Sequence, residues 1–128
     1  MPVSWSSFYP GWRTKNFGLD LEYSWSPSKN DQTQWLQVNS PERKKWLGVV
    51  TQGRINANHW VTSYQVSYSD DGVYWELADS GHNFSGNSDR STHVKHWFKT
   101  PFWARSVRIN PKSWHTYICV RVDFIYEG

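Results

Sequence analysis

The stretch Trp60–Tyr68, W-V-T-S-Y-Q-V-S-Y, runs directly into Ser69-Asp70-Asp71-Gly72-Val73-Tyr74-Trp75. Tyr64, Val66 and Tyr68 share one parity, and Ser63, Gln65, Ser67 and Ser69 the other. That period of two fits a strand with one face on a core and the other on solvent. Asp71-Gly72 supplies the positive-φ corner that joins two such strands. The segment therefore predicts a strand, a tight turn and a second strand.

No segment of useful length carries a helical period. Gly, Pro, Asn, Asp and Ser interrupt the chain at short intervals, which predicts an all-β sandwich or barrel. Strands are expected over 34–38, 46–52, 61–69, 74–78, 92–98, 102–109 and 117–126. The second is apolar on both faces and so central. Pro101 and Pro111 bound the sixth. In the last, Ile118, Val120, Val122 and Phe124 take one face, and Cys119, Arg121 and Asp123 the other. Four loops are richer than plain connectors: 8–20, 26–33, 53–59 and 85–91.

At 128 residues the chain fits a single domain over 1–128. Ten tryptophans exceed what a small sandwich readily hides, so some are expected on the surface, where an exposed indole usually touches a ligand. The net charge of +3 mildly favours anionic partners. Apart from Arg43-Lys44-Lys45, read as a solvated turn, the cations look scattered, with no basic stripe of the nucleic-acid-binding kind. No apolar run reaches transmembrane length. The single cysteine, Cys119, forms no internal disulfide. Asn83-Phe84-Ser85 is a glycosylation sequon, weak evidence for secretion when taken alone. The N-terminus is not a signal peptide, which suits a mature extracellular domain or a leaderless secreted or cytoplasmic protein.

Five ordered segments carry a resemblance. They are Gln34-Trp35-Leu36-Gln37-Val38-Asn39, Val49-Val50-Thr51-Gln52-Gly53-Arg54, the Trp60–Gly72 stretch, Gly86-Asn87-Ser88-Asp89-Arg90, and Ala104–His115 followed by Val120-Arg121-Val122-Asp123-Phe124. Together they resemble the discoidin family, the factor V/VIII type C domains, over about Ser6 to Tyr126. The resemblance implies a jelly-roll β-sandwich whose ligand loops project from one end. It also shows departures. The terminal cysteines that staple many members are absent. Ser26 stands where some members carry the partner of Cys119, which makes Cys119 a buried free thiol. Asn39 replaces an acid, and Ser106 replaces an aromatic.

Similar domains bind glycans, anionic phospholipid membranes or collagen through these loops, and the resemblance implies a non-enzymatic recognition or adhesion module at a cell surface. A sugar needs an aromatic platform and a few fixed polar groups. Arg54, Asn56, Asn58 and His59 supply the polar groups, and Trp12 or Trp60 the platform, for a galactose-type sugar. Arg54 and Asn58 equally suit holding their own loop's backbone, and His59 alone reads as a solvated loop residue. The alternative is a phosphatidylserine-type membrane, with Trp12 inserting and Arg13, Lys15 and Asn16 at the headgroups. Collagen ranks third, because no acidic partner for Arg54 is evident. Trp25, Trp35, Trp75 and Trp114 read as core, and Arg105, Arg108 and Arg121 as partners of Asp123, Asp89 or Glu76.

No catalytic constellation holds together. On a strand, His93 and His96 point to opposite faces and make a poor metal pair. Asp70-Asp71 is a turn, and Cys119 lacks an evident base. No cofactor is required. Calcium is compatible with loop carbonyls, with Asp20, Asp31 and Asp89 as the candidate carboxylates.

Overall fold

The computed structural model describes residues 1–8 and 18–128. Seven antiparallel strands follow one another: β1 (Val3–Trp5), β2 (Leu36–Gln52), β3 (Trp60–Ser69), β4 (Glu76–Leu77), β5 (Phe84–Ser85), β6 (Val94–His115) and β7 (Arg121–Glu127). A single 3₁₀ turn, Ala78–Gly81, interrupts them. The order across the sheet is β1-β2-β6-β3-β4, with β5 also on β3 and β7 also on β2.

Two pairs of expected strands are single long ones. The 34–38 and 46–52 segments belong to β2, and the 92–98 and 102–109 segments to β6. Prolines do not end these strands, because each sits where the ladder is irregular and no paired N–H is required. Pro41 lies in the shift between Asn39↔Ser106 and Lys44↔Ala104, and Pro101 in the shift between Trp46↔Phe102 and Gly48↔Trp97. Pro111 flanks the shift between Ser63 and Tyr64 on β3. Lys44 and Lys45 are accordingly in β2 rather than in a solvated turn.

These irregularities let β2 and β6 serve both layers of the sandwich. Leu36–Asn39 pairs with β1 and Ser106–His115 with β3, while Gly48–Gln52 lies between Val94–Trp97 on one side and β7 on the other. The 46–52 segment is indeed central, flanked by β6 and β7. Between the layers lie Trp25, Leu36, Trp46, Val49, Tyr64, Val66, Phe84, Phe98, Val107, Ile109 and Val120, all buried. The Trp46 indole N–H donates to the Ala104 carbonyl at 2.9 Å, which satisfies the polar atom this large side chain brings inside.

The corner after β3 follows the sequence closely. Gly72 has φ of 76°. Asp71 Oδ1 accepts the N–H groups of Val73 and Tyr74 at 2.8 and 2.9 Å, and Gly72 N–H donates to Ser69 Oγ. The strand after it is only Glu76–Leu77, because the chain turns into the 3₁₀ segment at Ala78.

The final segment departs from simple alternation. Ile118, Val120 and Val122 are buried, as is Cys119, the expected buried free thiol, but so is Arg121 on the same side as Cys119. The second face is covered, since Trp25 pairs with Val120 and Ser26 Oγ donates to the Ile118 carbonyl at 2.8 Å. The two departures at Asn39 and Ser106 are register partners, and Ser106 Oγ donates to Asn39 Oδ1 at 3.0 Å. One polar contact replaces the acid and the aromatic together.

Candidate ligand-binding site

At the Trp60 end of β3, a knot of polar side chains fastens three loops together. Arg121 is 2% exposed and, among the described residues, forms no ion pair with a carboxylate. Its guanidinium donates to the carbonyls of Gly53 (2.8 Å), Leu21 (2.9 Å) and Arg90 (2.7 Å). Buried Gln52 accepts the Asp20 N–H at 2.7 Å and donates to the Ser91 carbonyl at 2.7 Å. Asn87, also buried, donates to the carbonyls of Thr51 and Thr92, both at 3.0 Å. The chain approaches itself so closely here that a Cβ on Gly53 would lie 2.7 Å from the Asp89 carbonyl oxygen. Thr51-Gln52-Gly53, Gly86–Arg90 and Arg121, distant in sequence, thus form one scaffold.

The 53–59 loop is carried on that scaffold. Arg54 N–H donates to the His59 carbonyl at 3.0 Å, and His59 N–H to Ala57 at 2.9 Å. Arg54 Nε donates to Asn56 Oδ1 at 2.9 Å, and Arg54 Nη1 lies 3.4 Å from His59 Nδ1. A guanidinium only donates, so Nδ1 is the acceptor and the imidazole proton sits on Nε2, available to a ligand. Burial first, then the positive charge of nearby Arg54, holds His59 below its ordinary range.

Beside this loop is a cleft of about 320 Å³, lined by Ser26, Pro27, Ser28, Asn30, Arg54, His59, Tyr117 and Cys119. The volume falls at the small end of ligand sites, roughly 300–1,000 Å³. Tyr117 is 50% exposed, and its ring meets His59 edge-on at 4.8 Å. Asn30 Oδ1 accepts the Ile118 N–H at 2.8 Å, which fixes the amide at the rim. Cys119 is a buried free thiol, and burial raises its pKa, making it a floor rather than a nucleophile.

Arg54, Asn56 and His59 are therefore brought together. Asn58 instead accepts from Arg90 Nε at 2.9 Å, and Trp60 stacks on His115 at 4.7 Å. Trp12, Arg13, Lys15 and Asn16 lie outside the described residues. The cleft's aromatic, Tyr117, was not singled out from sequence because it reads there as the first residue of a strand. Thr116, with φ of 66°, in fact makes a turn that frees it.

The candidate calcium ligands are separately engaged. Asp20 Oδ1 pairs with His93 Nε2 at 2.9 Å; Asp31 accepts from Thr33 and Gln34; Asp89 accepts from Ser91 and Thr92. Among the described residues no three His, Cys, Asp or Glu gather to hold a metal. His96 goes to the Ser85 carbonyl, away from His93.

Residues 2–124 match the family model described as F5/8 type C domain. This chain belongs to the F5/8 type C domain family. Bovine (Bos taurus) lactadherin is 36% identical over 96% of the chain, which spans 33% of that protein. Wild-type discoidin II from Dictyostelium discoideum superposes with a TM-score of 0.90 at 29% identity, covering 97% of this chain and 53% of that one. A family 32 carbohydrate-binding module from C. perfringens NanJ, solved with galactose, shares the fold at a TM-score of 0.74 and 17% identity, covering 98% of this chain and 92% of that one. The chain thus spans about a third of the curated relative and about half of the discoidin II chain. No described helix is long and apolar enough to cross a membrane.

The partly buried imidazole of His59 in this F5/8 type C domain sets a pH dependence. Because His59 is depressed in the folded state, the unfolded chain takes up its proton first as pH falls. The associated stability is complete above about pH 6.5 and is lost as pH drops from there through the lower folded value. Asp20, Asp31, Asp71 and Asp89 are held below 3.8, mainly by hydrogen bonds, and act only in a separate, more acidic window. Thermal melts at pH 7.5, 6.5 and 5.5 should show a decline that His59→Gln flattens. An identical decline in the variant would exclude His59.

Proposed function

We propose that this domain is a non-enzymatic recognition module that binds cell-surface glycans through the cleft between Arg54 and Tyr117, with a galactose-type sugar as ligand. The observation that carries this is the pairing of an exposed Tyr117 ring with Arg54, His59 and Asn30 around one small cleft. A phenol face suits the C–H face of a pyranose. The Arg54 guanidinium and His59 Nε2–H present donors to hydroxyl oxygens, and the buried scaffold beneath fixes their spacing. The galactose bound by the C. perfringens module supports this ligand class through the shared fold only. Single small sites bind weakly, so the domain works clustered, at the cell surface or outside the cell.

The test is a glycan array probed with the domain displayed multivalently on beads. Hits sharing one terminal sugar, reduced at least tenfold by Arg54→Ala and by Tyr117→Ala, are the expected result. A blank array, or hits indifferent to both substitutions, overturns the reading. One observation favours a second reading: Leu21, whose carbonyl Arg121 holds, and Ile55, two residues beyond the Gly53 carbonyl that Arg121 also holds, are both exposed at the same end. Apolar tips with basic residues behind them suit an anionic bilayer. Binding to phosphatidylserine vesicles that falls steeply with salt would support it, since sugar stacking barely responds to salt.

A further inference from the structure

The outer face of β6 carries an arrangement that separate strands had concealed. From 95 to 105 its odd-numbered residues are Lys95, Trp97, Lys99, Pro101, Trp103 and Arg105, every one exposed. Of the intervening residues, Phe98, Phe102 and Ala104 are buried and His96 is half-buried, while Thr100 beside Pro101 is exposed. Phe98 and Phe102 lie ring to ring at 5.1 Å inside the sandwich, so the alternation interrupted at Thr100-Pro101 resumes with Trp97 and Trp103 both on the outer side. Cations and indoles therefore alternate along one side of one strand for roughly 30 Å, at ~3.3 Å per residue.

The indoles are laid down rather than raised. A Cβ on Gly48, the register partner of Trp97, would lie 3.1 Å from Trp97 Cε3 and 3.4 Å from Ile125 Cδ1. The ring lies across the sheet while remaining 60% exposed, and Trp103 is 49% exposed. Lys95 Nζ sits 5.2 Å from the Trp97 centroid. Among the described residues, Lys95, Lys99 and Arg105 form no ion pair with a carboxylate. Asp79, whose carboxylate accepts the N–H groups of Lys99 and Thr100 at 2.9 and 2.8 Å, is seated against the stripe and forms no direct ion pair with its cations.

A flat, half-exposed indole offers a face for stacking, whereas bilayer insertion calls for a protruding tip. Cations spread along one strand face without a direct ion pair call for a ligand with repeated negative charge. We propose that the outer face of β6 binds an acidic polysaccharide lengthwise, with sugar rings on Trp97 and Trp103 and sulfate or carboxylate groups on Lys95, Lys99 and Arg105. This surface is separate from the Arg54–Tyr117 cleft and does not depend on that reading.

The test uses heparin-derived octasaccharides as the probe, with neutral dextran, a single-stranded thymidine oligonucleotide and phosphatidylserine vesicles alongside. The octasaccharide should bind and dextran should not. Lys95→Gln with Lys99→Gln should weaken binding at least tenfold, as should Trp97→Ala with Trp103→Ala. Lys29→Gln with Lys112→Gln, which removes the same charge elsewhere, should change it less than twofold. The lysine variants alter exposed side chains only, so a normal melting curve is expected and loss of binding is not loss of fold. They should also retain whatever the cleft binds on a glycan array, which separates failure here from failure of the lectin reading. An equal loss in the Lys29/Lys112 variant, no loss in the stripe variants, or tighter stripe-dependent binding of the oligonucleotide or the vesicles would each overturn the assignment.

Discussion

Arg121→Met should leave the domain largely unfolded at 37 °C, or reduce its stability by about 3–5 kcal/mol, since each buried acceptor left without a donor costs about 1–3 kcal/mol. The native guanidinium satisfies three backbone carbonyls from loops around residues 21, 53 and 90. Methionine fills similar volume but donates nothing, so three inward-facing acceptors lose their partners. Against a total of roughly 5–15 kcal/mol for a domain of ordinary stability, that is a large fraction. Arg121→Lys should rescue only partly, because an ammonium cannot reproduce the planar fork that serves all three acceptors. Chemical denaturation of the three proteins measures this directly. A methionine variant within 1 kcal/mol of wild type would show that the carbonyls find other donors and that the scaffold under the cleft does not rest on Arg121.

Gly86→Ala should be nearly as damaging, by about 3 kcal/mol, although it adds a single methyl group. The new Cβ would lie 2.2 Å from the Val61 carbonyl oxygen and 3.0 Å from Thr62 C. Both are backbone atoms of β3 and cannot rotate away. Gly86 N–H and Asn87 N–H donate to Thr62 and Val61 at 2.8 Å, so the collision pushes the whole 86–91 turn off the strand. With it go the Asn87 bonds to Thr51 and Thr92 and the Arg90 carbonyl that Arg121 requires. Glycan binding should therefore fall together with stability, even though Gly86 does not line the cleft. Gly72→Ala, at a corner with φ of 76° and no atom within 4 Å, should cost less and leave binding intact. Equal stabilities of the two alanine variants would refute the steric account.

The expected Arg–carboxylate pairs are replaced by contacts of another kind. Arg108 lies between Trp35 and Trp75, 3.8 Å from each ring centroid, and its Nε donates to Gln37 at 2.8 Å. Trp35 and Trp75 are thus only half-buried, unlike Trp25, which is wholly inside. Residue type alone marks both sets as aromatic and says nothing about whether their neighbour is a core leucine or a cation.

What the sequence by itself determined is local or strongly patterned. Period-two alternation at 61–69 places Tyr64 and Val66 of β3 in the core, although Ser67 and Ser69 on the face expected to meet solvent are covered too; Asp71-Gly72 names its corner, and the segment 46–52, apolar on both faces, names the central strand, because each follows from the geometry of a few adjacent residues. The ordered motifs, from Gln34 to Phe124, carry the family and hence the sandwich. Tertiary structure alone decided where those motifs meet. Arg121, Gln52 and Asn87 are polar residues without a readable partner in one dimension; their partners are backbone carbonyls and N–H groups of other loops, and backbone atoms are identical at every position. Tyr117 becomes a cleft wall only because Thr116 turns the chain before β7. The stripe along β6 exists only because Pro101 falls in a ladder irregularity, so that one strand crosses a residue that ends a strand wherever the ladder is regular.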